Sequence, residues 1–211
     1  MDMDATLRGY PLSEGMIREV FSEICAIPVE DGVDLTLDHV LPIRDEDEYG
    51  GYRVAIIARY ESINTPLKID ITTGDIITPG AIRYSFPSIF SNKRIEVWAY
   101  NLETILAEKV ETILRRSVLN TRPRDYYDIY IIMKTKRQAV RIKTFIAALN
   151  ATAERRGSLQ ALQGKDRILE TIRTDPPMRQ RWSRYCEENN FAKGIEFGEV
   201  LRAIQELMSL A

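Results

Sequence analysis

The sequence predicts an α+β fold, with strands and a covering helix in its first half and a helical region at its C-terminal end. Three observations lead there. Period-two alternation and short β-rich apolar runs fall before residue 100. From Asn101 onward the apolar spacing becomes helical, punctuated by Gly and Pro. With 211 residues, 45% of them hydrophobic, the chain is long enough to bury the core of one domain carrying a helical appendage.

Taken in order, Asp2-Met3-Asp4 reads as an extended D-x-D segment whose two acids share a face, because side chains alternate along a strand. Ser13 is a candidate N-cap for a helix over 13–26, with Met16, Ile17, Val20, Phe21 and Ile24 at helical spacing. Residues 33–40 alternate and predict a strand whose one histidine, His39, belongs to a solvated surface. Asp45-Glu46-Asp47-Glu48 reads as a solvated loop, followed by a more buried strand over 52–60. In residues 67–71, Leu67, Ile69 and Ile71 face one way, while Lys68 and Asp70 share the other face. A turn at Thr72–Asp75, another at Pro79-Gly80 and a short strand over 94–98 lead into an Asn101-capped helix. Helices follow over 137–156, 158–173, 178–190 and 196–210.

Between them lies the stretch with the most unusual chemistry. At about 100° per residue, Leu102, Ile105, Leu106 and Ile113 fall in one sector with Lys109 in its middle, whereas Glu103, Glu108 and Glu111 point elsewhere. On the next helix Asp125 and Asp128 share a sector with Ile129 and Ile132. An unpaired charge costs several kcal/mol to bury, so acids and a lysine on apolar stripes are paired, metal-bound or catalytic. Single charges of this kind also arise when a lysine snorkels to water or an acid sits at a helix start.

Charge is unevenly spread. The net is −2, but residues 1–100 hold 9 Lys+Arg against 17 Asp+Glu, and residues 101–211 hold 20 against 14. Nine bases and two acids lie between Arg115 and Lys143, a density suited to phosphates or RNA and also to a plain solvated face. Cys25 and Cys186 stand far apart with no CxxC pair, as expected of reduced thiols and no zinc site. No apolar run of membrane-spanning length and no signal-peptide pattern is present, so no membrane association and a cytoplasmic location are expected. There is no Gly-rich P-loop and no GxGxxG.

Asp2-Met3-Asp4, Leu67-Lys68-Ile69-Asp70-Ile71, Leu106-Ala107-Glu108-Lys109 and Arg122-Pro123-Arg124-Asp125-Tyr126-Tyr127-Asp128 resemble, in order and spacing, successive motifs of the AbiEii/AbiGii nucleotidyltransferase toxins. The resemblance spans roughly residues 1–135. It implies a polymerase-β-like nucleotidyltransferase core with a mixed sheet over 1–134, then a helical domain over 135–211. It also implies nucleotide transfer from an NTP to RNA, in particular tRNA, with a two-metal Mg²⁺ site and a cognate antitoxin in a toxin–antitoxin or phage-defence system. Carried over residue by residue, Asp2, Asp4 and Asp70 match metal ligands, Lys109 the family's catalytic or triphosphate-contacting lysine, and Asp125 or Asp128 its final essential acid, which makes these three the catalytic candidates, with Lys68, Arg122 and Arg124 as the substrate-binding ones. The family carries a Gly-Gly-Ser/Thr turn ahead of its D-x-D, where backbone amides and a hydroxyl hold the triphosphate. No such turn precedes Asp2 here, so an N-terminally incomplete core is expected. The alternative reading is a non-catalytic nucleotide- or RNA-binding module of the same fold.

Overall fold

A computed structural model describes residues 2–43, 50–88 and 93–210. The acidic run Asp45–Glu48 and the side chain of Asp2 lie outside this description. Packing divides the chain into two compact units, Met1–Asp75 and Ile76–Ala211.

The first unit contains β1 (Asp2–Leu7), α1 (Glu14–Cys25), β2 (Asp34–Ile43), β3 (Gly51–Tyr60) and β4 (Ile63–Thr73). Strand order is β1-β4-β3-β2, with β1 parallel to β4 and the other pairs antiparallel, which makes the sheet mixed. A parallel pair needs a long crossover, and α1 lies in the connection that leaves β1. Ser13 caps α1 through its Oγ, which accepts from the Met16 amide at 3.3 Å. Ile17 of α1 and Val40, Val54, Ile56 and Ile71 of the sheet are buried together, with Leu67 and Ile69 packed against them. Full burial of such a side chain contributes roughly 1.5–3 kcal/mol. The alternation in β4 therefore commits Lys68 and Asp70 to the face opposite this core. At Gly51 a Cβ would stand 2.8 Å from the Ile71 carbonyl oxygen, so the start of β3 admits glycine without a backbone shift. His39 is exposed, 3.0 Å from Asp38, as a surface strand residue should be.

The second unit opens with an antiparallel hairpin, β5 (Ile82–Pro87) and β6 (Arg94–Ala99), and continues through α2 (Leu102–Arg116), α3 (Pro123–Lys136), α4 (Ile142–Arg155), α5 (Leu159–Gln163), α6 (Lys165–Thr174), α7 (Pro176–Glu188) and α8 (Phe197–Ser209). β5 is not anticipated from sequence, because IRYSFP is short and pairs only with the later β6. The predicted segment 158–173 is two helices broken at Gly164, whose ψ of 12° does not continue the first one. Asp175, expected in a separator, instead caps α7: its Oδ1 accepts from the Met178 amide at 2.9 Å, and both prolines occupy the first turn, where a missing N–H costs nothing.

Burial on α2 differs from the single stripe that its periodicity suggests. Leu106, Ala107, Val110, Ile113 and Leu114 are all buried, while Leu102 and Ile105 are only partly covered. Glu103 and Glu111 are buried too, because α4 and the residues flanking it close over that side and bring partners. Glu103 Oε1 accepts from the Arg141 amide at 2.8 Å and its Nε at 3.2 Å. Glu111 accepts from Arg115 Nε at 2.8 Å, Arg156 Nη1 at 2.7 Å and Ser158 Oγ at 2.8 Å. Three donors offset the cost of taking this carboxylate out of water.

Candidate functional site

On the sheet, the register places Asp4 opposite Asp70, Asp2 opposite Lys68 and Thr6 opposite Thr72. Partners in a parallel ladder project to the same side, so Asp4, Asp70, Thr6 and Thr72 form one polar stripe. Asp4 and Lys68 are exposed and Asp70 is partly covered. Asp70 is clamped by Arg53 of β3, with Nε–Oδ1 and Nη2–Oδ2 both 2.7 Å. The Thr6 and Thr72 hydroxyls donate to Asp75 Oδ2 at 2.8 and 3.0 Å.

Asp4 and Asp70 supply hard carboxylate oxygens on adjacent strands, and that chemistry fits a divalent cation such as Mg²⁺. Among the described residues no group of three or more His, Cys, Asp or Glu side chains is gathered in metal-binding geometry. A cation at Asp70 would compete with the guanidinium that now holds both its oxygens. Arg53, Thr6, Thr72 and Asp75 are absent from the sequence-derived set. The available signal was Arg53, a charge inside the apolar run YRVAIIARY.

On the helical unit, Lys109 of α2 lies between two acids of α3. Its Nζ is 2.7 Å from Asp128 Oδ2 and 3.3 Å from Asp125 Oδ1, with side-chain exposures of 23, 25 and 13%. The Arg122-Pro123 turn makes this possible. Asn120 Oδ1 accepts from the Arg122 amide at 2.9 Å, and Pro123 opens α3, so Asp125 falls in the first turn, where the helix dipole favours an acid. Tyr126, Ile129 and Met133 anchor the core side of α3. Asp125 Oδ2 is buried with no hydrogen-bond partner among the described residues, a costly arrangement that ordinary packing would avoid. Arg124, with 78% of its side chain exposed, approaches Asp128 at 3.9 Å, and Arg122 is exposed at the helix start.

The aromatic rings around the acids record their field. Burial, then the charge of Asp125, pushes the Tyr126 hydroxyl well above its ordinary value. Burial followed by Asp128 pushes Tyr185 of α7 up to about 12.

The structure thus gathers Asp4 with Asp70, and separately Lys109 with Asp125, Asp128 and Arg124. Among the described residues no helix is long and apolar enough to cross a membrane.

Two crystal structures from Helicobacter pylori are similar to the chain, one described as a nucleotidyltransferase candidate and the other as JHP933. Each is 16% identical with a TM-score of 0.43 over 99% of this chain, covering 76% and 74% of the respective protein. No curated protein matches. The family model described as "Nucleotidyl transferase AbiEii toxin, Type IV TA system" matches residues 1–203, nearly the whole length. With that match, the chain belongs to the AbiEii nucleotidyl transferase toxin family.

Proposed function

We propose that this chain is a Mg²⁺-dependent nucleotidyltransferase toxin that moves a nucleotide from a nucleoside triphosphate to RNA, with tRNA as the acceptor, in the cytoplasm. Membership of the toxin family brings with it a nucleotide substrate and an antitoxin partner. The metal, the acceptor and the residue roles are our reading, as is a catalytic core over 1–134 followed by a helical domain over 135–211.

The observation that carries it is Lys109 held between Asp125 and Asp128. An ammonium has three N–H donors. Two are directed at the aspartates, which leaves one for an external acceptor on a side chain that still reaches solvent. In nucleotidyl transfer an acceptor hydroxyl oxygen bonds to the α-phosphorus, the bond to the bridging oxygen breaks, pyrophosphate leaves, and the hydroxyl proton passes to solvent. Negative charge accumulates on the phosphoryl oxygens, and a cation already fixed in place stabilises it without reorganising. Asp125 and Asp128 do that fixing.

Asp4 and Asp70, with Asp2, would hold Mg²⁺, which supplies charge neutralisation and a more acidic attacking hydroxyl. Lys68, Arg122 and Arg124 are assigned to substrate phosphates. The bases between Arg115 and Lys143 would track an RNA backbone.

The test is transfer of label from each of the four NTPs to bulk RNA, with and without EDTA. Mg²⁺-dependent labelling from at least one NTP is expected. If neither the chain nor an N-terminally longer form labels RNA with any of the four, the enzymatic reading fails.

A further inference from the structure

Beside the Lys109 cluster stands an aromatic group with no part in the assignments above. Tyr127 of α3, Tyr185 of α7 and Phe191, in the 3₁₀ turn Asn190–Ala192, pack with ring centroids 4.9–6.2 Å apart. Tyr127 precedes Asp128 in sequence, and Tyr185 feels the charges of both Asp128 and Arg124. The two tyrosines are partly covered, yet Phe191 keeps 60% of its surface in water. Removing a phenylalanine face from water is favourable, so a ring backed by two others and left open is a prepared stacking surface. Next to it opens a cavity of about 270 Å³ lined by Cys186, Glu187, Asn190 and Lys193. Its carboxylate, amide and ammonium are groups that can hydrogen-bond the edge of a heterocycle.

We infer that Phe191, backed by Tyr127 and Tyr185, is a platform on which a nucleobase stacks while Lys109 and Arg124 hold the phosphate of the same nucleotide. Through Tyr185, which packs on Phe191 and feels Arg124 and the Asp128 that holds Lys109, an open apolar ring adjoins a cationic cluster, a pairing that matches the two halves of a nucleotide and suits neither a lipid nor a plain anion. Stacking is tolerant of base identity, so the base belongs either to the triphosphate substrate or to the end of the RNA acceptor. This inference deepens the function proposed above and rests on it for the roles of Lys109 and Arg124.

The test uses the full chain and two fluorescent probes whose emission falls on stacking: 2-aminopurine riboside triphosphate, and a single-stranded RNA ending in 2-aminopurine. Inorganic triphosphate serves as a ligand without a base. Quenching of one probe by the wild-type protein is expected, and the probe that is quenched identifies the source of the base. Phe191→Ala should abolish the quenching and weaken that probe about tenfold, with triphosphate affinity unchanged and the melting temperature lowered by no more than about 5 °C, because most of the ring is exposed. Phe191→Trp should retain both the quenching and the affinity. Unquenched probes with the wild-type protein, or Phe191→Ala binding and quenching as the wild type does, would overturn the platform while leaving nucleotide transfer untouched. Quenching lost in Phe191→Ala alongside a complete lack of label transfer would uphold the platform and sink the transferase reading.

Discussion

At the scale of single residues, the energetics of Lys109 differ from those of an ordinary surface pair. Exposed ion pairs contribute about 0–1 kcal/mol, but these three side chains are mostly covered, and one oxygen of Asp125 has no partner among the described residues. Removing the ammonium sets two carboxylates beside each other. Lys109→Ala should therefore cost about 1–3 kcal/mol in denaturant unfolding, less than the roughly 3–5 kcal/mol of a fully buried broken pair. Nucleotide transfer should fall by about 100-fold or more, the scale of losing a preorganised charge donor. A stable Lys109→Ala protein with unchanged turnover would remove the lysine from the mechanism.

Glu103 offers a pH test. Burial raises its carboxyl pKa, but the Arg141 amide, its own amide and the Arg141 guanidinium outweigh burial and hold the pKa below the ordinary glutamate value. A depressed folded pKa adds stability above the unfolded value, about 4.3, and that stability is lost as pH falls through the folded one. The unfolding midpoint should drop as pH falls below the unfolded value, and Glu103→Gln should flatten this slope. Parallel slopes for both proteins would deny Glu103 that role.

At the scale of elements, α2 is secured at two points that helix periodicity does not reveal. At its start Asn101 Oδ1 accepts from the Thr104 amide at 2.7 Å, while Nδ2 donates to the Thr78 carbonyl at 2.7 Å. The cap therefore also ties down the segment entering the hairpin. Loss of a cap costs about 0.5–2 kcal/mol, and Asn101→Ala should sit at or above the top of that range, because the Thr78 carbonyl loses its shorter bond as well. Further along, Glu111 joins α2 to Arg156 and Ser158 beyond α4. Glu111→Ala should lower stability by about 1.5–3 kcal/mol, since it takes from Arg115, Arg156 and Ser158 their hydrogen bonds to a buried carboxylate. Calorimetry on the two variants measures both effects. A Glu111→Ala protein that melts with the wild type would mean that the network is electrostatically neutral in net effect.

Across the whole molecule, acids dominate the first hundred residues and bases the remainder. If the bases between Arg115 and Lys143 bind an RNA backbone, affinity must fall with salt, because each neutralised phosphate releases condensed counterions. Arg122→Ala and Arg124→Ala should each reduce the slope of log affinity against log salt by about 0.7. Filter binding at several salt concentrations reads this directly. Salt-independent binding, or slopes that the variants leave unaltered, would remove RNA from this surface.

The sequence by itself determined the features that depend on neighbours a few residues away. The caps at Ser13 and Asn101, the alternation that turns Lys68 and Asp70 away from the core, and the spacing of Asp125 and Asp128 all follow from strand and helix periods. The family motifs were legible for the same reason, since each is contained within one element or turn. Tertiary structure decided what depends on register and on chain segments far apart. Arg53 meets Asp70 only because β3 and β4 pair in one particular register, and Asp4 meets Asp70 only through a parallel ladder closed across α1. Glu103 and Glu111 are buried because α4 and its flanking segments bring Arg141, Arg156 and Ser158 to them. Phe191 joins Tyr127 across more than sixty residues. A helical or strand period sets which side of an element a residue occupies, but only long-range packing selects what lies opposite.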